Sequence, residues 1–77
     1  MNRKDLESLL VVNKVPKDLY SLNGGTPSET YCIEKRRGKY KVYYSERGEK
    51  SYIGIFETEQ EACLCLLNEI KKIVSVL

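Results

Sequence analysis

The sequence predicts an α+β fold: an N-terminal helix, a three-stranded antiparallel meander, and a long C-terminal helix packed on the sheet. Three observations carry this expectation. Between Tyr31 and Phe56, apolar and polar residues alternate and are interrupted by two short glycine turns, the pattern of a meander. From Cys63 onward, apolar residues recur at three- and four-residue steps, the pattern of an amphipathic helix. Near the start, Leu6, Leu9 and Leu10 share one helical face behind a capping residue, Asn2. The 77 residues allow one domain, 1–77, with no linker, repeat or low-complexity segment.

The first helix is expected over residues 3–13. Asp5 and Glu7 place negative charge near its positive end. Val15-Pro16 stops it, because a residue before proline is pushed out of the helical region. Pro16 is expected to open a short helical turn reaching Leu22, with Leu19 and Tyr20 as its apolar contacts. Asn23-Gly24-Gly25 reads as a turn, and Pro27 stiffens the loop that follows.

In the meander, Tyr31 and Ile33 share one side of the first strand. Arg36-Arg37-Gly38 turns the chain. Tyr40, Val42 and Tyr44 share one side of the second strand, with Lys41, Tyr43 and Ser45 on the other. Glu46-Arg47-Gly48 makes the next turn, with Gly48 suited to a left-handed bulge position. The third strand, Lys50 to Phe56, has apolar residues on both sides, consistent with cover on both faces. Thr58-Glu59-Gln60-Glu61 reads as a capping box. The helix it opens is expected to reach about Val74, with Cys63, Leu66, Leu67, Ile70, Ile73, Val74 and Leu77 on its apolar stripe. The expected core is Ile33, Val42, Phe56, Ala62, Leu66, Leu67 and Ile70, with the N-terminal helix covering what the sheet leaves open.

The composition narrows function. The chain has no His, which removes triads, Cys-His pairs and imidazole bases. It has three cysteines, Cys32, Cys63 and Cys65, one too few for an all-thiolate zinc site and an odd number for a disulfide framework. Reduced thiols packed as small hydrophobes point to a reducing compartment, the cytoplasm. No catalytic residue, cofactor site or metal site is expected, and no apolar run approaches a membrane span. The acids Asp5, Glu7, Glu57, Glu59 and Glu61 are accounted for by helix starts, and Gly24-Gly25 lacks the Gly-Lys-Ser/Thr of a phosphate loop.

Charge is distributed unevenly. Seven basic and three acidic residues lie between Tyr31 and Phe56, giving +4 there against +2 for the chain. Tyr31, Tyr40, Tyr43, Tyr44 and Tyr52 interleave with the cations. Aromatics and cations on a sheet can stack bases and neutralise phosphates. Equally, tyrosines suit strands, and lysines and arginines solvate edges and turns. Tyr43, Lys41, Arg36, Arg37, Lys39 and Arg47 are the candidate partner-binding residues.

Two resemblances bear on the partner. Val15-Pro16, Tyr20-Ser21-Leu22-Asn23-Gly24-Gly25, Pro27, Glu29, Tyr31-Cys32, Val42-Tyr43-Tyr44-Ser45-Glu46-Arg47-Gly48, Lys50, Phe56, Glu59 and Glu61-Ala62-Cys63 resemble small bacterial immunity proteins of polymorphic toxin systems. The likeness covers about two thirds of the chain. Members of that group tend to carry Trp where this chain has Tyr40, a swap that keeps an aromatic ring. The resemblance implies a non-enzymatic protein that binds and blocks a cognate toxin. A shorter stretch, Gly38-Lys39-Tyr40-x-Val42 and Ile53-Gly54-x-Phe56-x-Thr58-x-x-Glu61-Ala62, resembles the DNA-binding domains of the plant ethylene-response type and the arm-binding domains of phage-type integrases. It implies a nucleic-acid-binding module that uses the basic, tyrosine-rich sheet. Dimerisation through an exposed sheet edge is a third expectation.

Overall fold

The computed structural model describes residues 1–74. The chain runs α1 (Arg3–Val12), a 3-10 turn (Lys17–Leu19), β1 (Tyr20–Ser21), β2 (Thr30–Arg36), β3 (Lys39–Glu46), β4 (Glu49–Phe56) and α2 (Glu59–Lys71). The strands form one sheet in the order β1-β2-β3-β4. The meander β2-β3-β4 is antiparallel, as expected.

The helix starts follow from their caps. The Asn2 side chain accepts from the Asp5 N–H at 2.8 Å, and the Asp5 carboxylate accepts from the Asn2 N–H at 3.4 Å. At α2, Thr58 Oγ1 accepts from the Glu61 N–H at 3.2 Å. The reciprocal half of the expected box is altered: the Glu61 carboxylate faces the Thr58 hydroxyl at 2.9 Å instead of its backbone N–H. Thr58→Ala removes the acceptor and should lower stability by ~1 kcal/mol in a denaturant titration. An unchanged midpoint would place the helix start elsewhere.

Two features of the meander depart from expectation. Both hairpins close through two-residue turns, since Arg36 pairs with Lys39 and Glu46 with Glu49. Arg37 and Gly38, and likewise Arg47 and Gly48, all have positive φ. These are type I′ turns, whose twist matches that of the flanking strands, so Gly48 is a turn residue and not a bulge. The bulge lies in the β3–β4 ladder. Val42 pairs with Gly54 but Tyr43 pairs with Tyr52, leaving Ile53 as the extra residue. Tyr52 is thereby turned to the face opposite Gly54 and Phe56. A Cβ at Gly54 would come within 2.7 Å of the Phe56 ring, so the glycine makes room for that ring.

The core lies between the sheet and the helices. Ile33, Val42, Ala62, Leu66, Leu67 and Ile70 are buried there together with Leu6, Leu10, Val15, Leu22 and Cys63. Phe56, expected in the core, is half-buried beside it, because β4 is an edge strand. The α2 stripe ends sooner than its periodicity suggests. The helix stops at Lys71 and Ile73 is 51% exposed, but Val74 is half-buried against the core, and Leu77 lies outside the described residues.

Helix α1 packs on α2 and contributes Leu6 and Leu10 to the same core, so it does not cover the second face of the sheet. Glu59 joins the two helix starts. Its Oε2 accepts from the Arg3 backbone N–H and Nε, both at 2.9 Å, while Arg3 Nη1 reaches the Leu22 carbonyl at 3.3 Å. The backbone N–H of Arg3, and then its guanidinium, hold the Glu59 carboxyl below the usual range. A lowered folded value stabilises above the unfolded pKa and loses that contribution as pH falls through the folded one. Glu59→Gln should therefore cost a few tenths to about 1 kcal/mol near neutral pH, this pair being about a third exposed, and almost nothing once wild-type Glu59 is protonated. An equal cost in both regimes would assign the effect to packing instead.

Candidate functional site

The strand between the 3-10 turn and the glycine loop shapes the site. The expected helical turn ends at Leu19, and Tyr20–Ser21 then pair in parallel with Tyr31–Cys32. Two consecutive parallel strands require the chain to turn back between them. The helices occupy one face and Leu22 still packs on that side, so residues 23–29 cross the other. Ser21 Oγ donates to the Gly24 carbonyl at 2.8 Å and tightens the turn, where Gly24 and Gly25 both take positive φ. Gly24 lies against Glu34; a Cβ there would sit 3.2 Å from its side chain. Farther across the sheet, the Tyr43 hydroxyl donates to the Gly25 carbonyl at 2.7 Å.

This loop roofs one half of the sheet's second face. Beneath it lie Cys32, Tyr43 and Ser45, all fully buried. Lys50 lies across this half. Its Nζ is 4.9 Å from the centre of the Tyr43 ring and 3.3 Å from Glu34 Oε1. Glu34 Oε2 and Ser45 Oγ are buried without a hydrogen-bond partner among the described residues. Burial raises the pKa of Cys32 and of the other two thiols, Cys63 and Cys65, keeping them protonated and poorly nucleophilic. It also pushes the Tyr43 hydroxyl well above the usual tyrosine range.

The other half of the face is open. Ile55, paired with Lys41, is 58% exposed, and Tyr52 is 53% exposed. Cover on both faces of the third strand, consistent with its sequence, is absent here because the roof reaches only as far as β3. Lys41 Nζ stands 5.5 Å from the Tyr52 ring centre, within cation–π range. Arg36, Arg37, Lys39, Lys41 and Ile55 line a shallow groove of about 450 Å³ at the β2–β3 turn. Lys39 is paired with the Glu57 carboxylate at 2.6 Å. Among the described residues, Arg36, Arg37 and Lys41 have no carboxylate partner.

The structure thus brings together four of the six candidate residues: Arg36, Arg37, Lys39 and Lys41. Tyr43 is not a surface anchor, because the roof loop buries it and takes its hydroxyl. Arg47 sits at the opposite end of β3, about 25 Å away at the usual strand rise, beside Glu46 and Glu49. Tyr52 and Ile55 belong to the open patch but escape a reading of strict alternation. The bulge at Ile53 inverts the facing of Tyr52, and the partial roof leaves Ile55 uncovered.

The described residues contain no group of three or more His, Cys, Asp or Glu side chains that could hold a metal ion. Among them, no helix is long and apolar enough to cross a membrane. Comparison with protein-family models, with curated proteins and with solved structures finds no match to this chain.

Proposed function

We propose that this chain is a non-enzymatic binding protein of the immunity type, which blocks a cognate toxin by occupying its active site or substrate groove. The carrying observation is the open half-face, where Tyr52 and Ile55 are exposed beside cations without carboxylate partners. Exposed aromatic and aliphatic side chains flanked by charge are the usual anchors of a protein interface. The resemblance of the Tyr20–Gly25 and Val42–Gly48 strings to immunity proteins points the same way. In this reading the free thiols and the cytoplasmic setting belong together, since the inhibitor meets its toxin inside the producing cell.

The second reading is a nucleic-acid-binding module, favoured by the three-stranded sheet and its unpaired cations. Two observations weigh against it. The roof loop stands on the face that would have to enter a groove, and the far end of β3 carries Glu46 opposite Glu49. Fluorescence anisotropy with a generic duplex separates the two readings. Binding that depends on several phosphate contacts falls steeply between about 50 and 200 mM salt. Absent or loose binding at low salt is expected. Tight binding that survives moderate salt and disappears in Arg36→Ala/Arg37→Ala would overturn the inhibitor reading.

A further inference from the structure

The open half-face also constrains the chemistry of its occupant. We infer that Arg36, Lys41, Tyr52 and Ile55 receive an extended, acidic polypeptide segment of the partner, with one apolar side chain set between its carboxylates; this rests on the protein-binding reading above. Charge is the first argument. Lys39 and Lys50 already have carboxylate partners, Glu57 and Glu34, Lys35 lies over the Tyr40 ring and Arg47 stands at the far end of β3, so the cations left to be matched on this half-face are Arg36, Arg37 and Lys41. They surround an apolar strip and converge on one groove.

Spacing is the second argument. Arg36 pairs with Lys39, and two residues farther along β3, Lys41 pairs with Ile55. Same-face rows two residues apart are separated by about 7 Å, which is also the spacing of alternate side chains in an extended segment. A carboxylate over Arg36 therefore sets the next same-side residue over the Lys41–Ile55 row. An apolar group there covers Ile55 and the Tyr52 ring, and a flanking carboxylate reaches Lys41. The guanidinium of Arg36 offers paired donors to a carboxylate.

The alternatives meet opposing features. A second copy placed face to face would set Arg36, Arg37 and Lys41 against the same cations. A second copy at the β4 edge would meet the bulge at Ile53, which breaks the even row of backbone groups that edge pairing needs. A duplex would extend beyond the patch, over the roof loop and toward Glu46 and Glu49.

The test is amide-resolved NMR titration of the whole chain with a short synthetic peptide that alternates aspartate and serine around one central phenylalanine. Saturable shifts confined to Arg36–Lys41 and Tyr52–Phe56 are expected. Affinity should fall about tenfold or more with asparagine in place of aspartate, and likewise in an Arg36→Glu/Lys41→Glu variant with an unchanged melting temperature. Shifts on the helix side or around Arg47, indifference to the asparagine change, tighter binding of a duplex at the same patch, or self-association through that patch would each overturn the inference. A growth assay that co-expresses this chain with candidate toxin domains separates the inhibitor role from the patch. Equal protection by wild type and Arg36→Glu/Lys41→Glu would keep the inhibitor and remove the patch. No protection by wild type, with peptide binding intact, would remove the inhibitor and keep the patch.

Discussion

Leu66→Ala should cost ~2–5 kcal/mol, the range for removing a buried leucine side chain and leaving a cavity. Leu66 has no exposed surface and belongs to the cluster that joins α1, α2 and the sheet through Leu6, Leu10, Ile33 and Val42. A domain of this size holds little stability in reserve, so the variant should lie near its unfolding midpoint at room temperature. Leu64 is the internal control. It lies two positions away on the same helix and is 45% exposed, so Leu64→Ala should shift stability by less than ~0.5 kcal/mol. Thermal melts of the two variants check the prediction. Equal melting temperatures would mean that α2 does not present the Leu66 face to the sheet.

Tyr43→Ala should be comparably damaging, ~3–5 kcal/mol, because an aromatic ring is removed from a fully enclosed site. That ring meets Tyr52 edge-on at 5.6 Å between centroids and lies under the Lys50 ammonium, while its hydroxyl holds the Gly25 carbonyl. Tyr43→Phe keeps the ring and removes the link, and should cost ~1 kcal/mol. A second readout separates packing from tethering. Cys32 lies under the same loop, so native-state thiol labelling at this position should quicken in Tyr43→Phe. Wild-type stability in Tyr43→Ala, or unchanged labelling of Cys32 in Tyr43→Phe, would mean that residues 23–29 do not close this half of the face.

Both variants bear on how much of the molecule was legible in its sequence. Helix and strand periodicity carried the fold class, because most buried positions obey a local rule: Leu6 and Leu10 on one helix face, Ala62, Cys63, Leu66, Leu67 and Ile70 on the other, Ile33 and Val42 by alternation. The two-residue strand Tyr20–Ser21 was not legible. It is too short to show a period, and its pairing with Tyr31–Cys32 is a tertiary choice. The roof depends on that strand, so the burial of Tyr43 was hidden as well. The cationic cluster at the β2–β3 turn could be located from sequence, since Arg36, Arg37, Lys39 and Lys41 are neighbours along the chain. Its apolar members could not. The bulge at Ile53 reverses Tyr52 against simple alternation, and nothing local distinguishes the exposed Ile55 from the buried Ile33.

The clasp between Arg3 and Glu59 spans 56 positions and has a consequence for the growing chain. A protein is made from its N-terminus, and early segments can fold only against partners that already exist. Helix α1 is synthesised before α2, yet the surface it packs on, and the carboxylate that receives its first turn, belong to residues 59–71. Until those residues appear, Leu6, Leu10, Ile33 and Val42 have no completed core to enter. The hairpins of the meander are local in sequence, but their inner face has no helix to cover it until then. Folding during synthesis is therefore an abrupt late event and not a gradual one. A translational pause before Glu59 would hold the chain in its most aggregation-prone form, whereas a pause inside the meander would expose fewer apolar side chains.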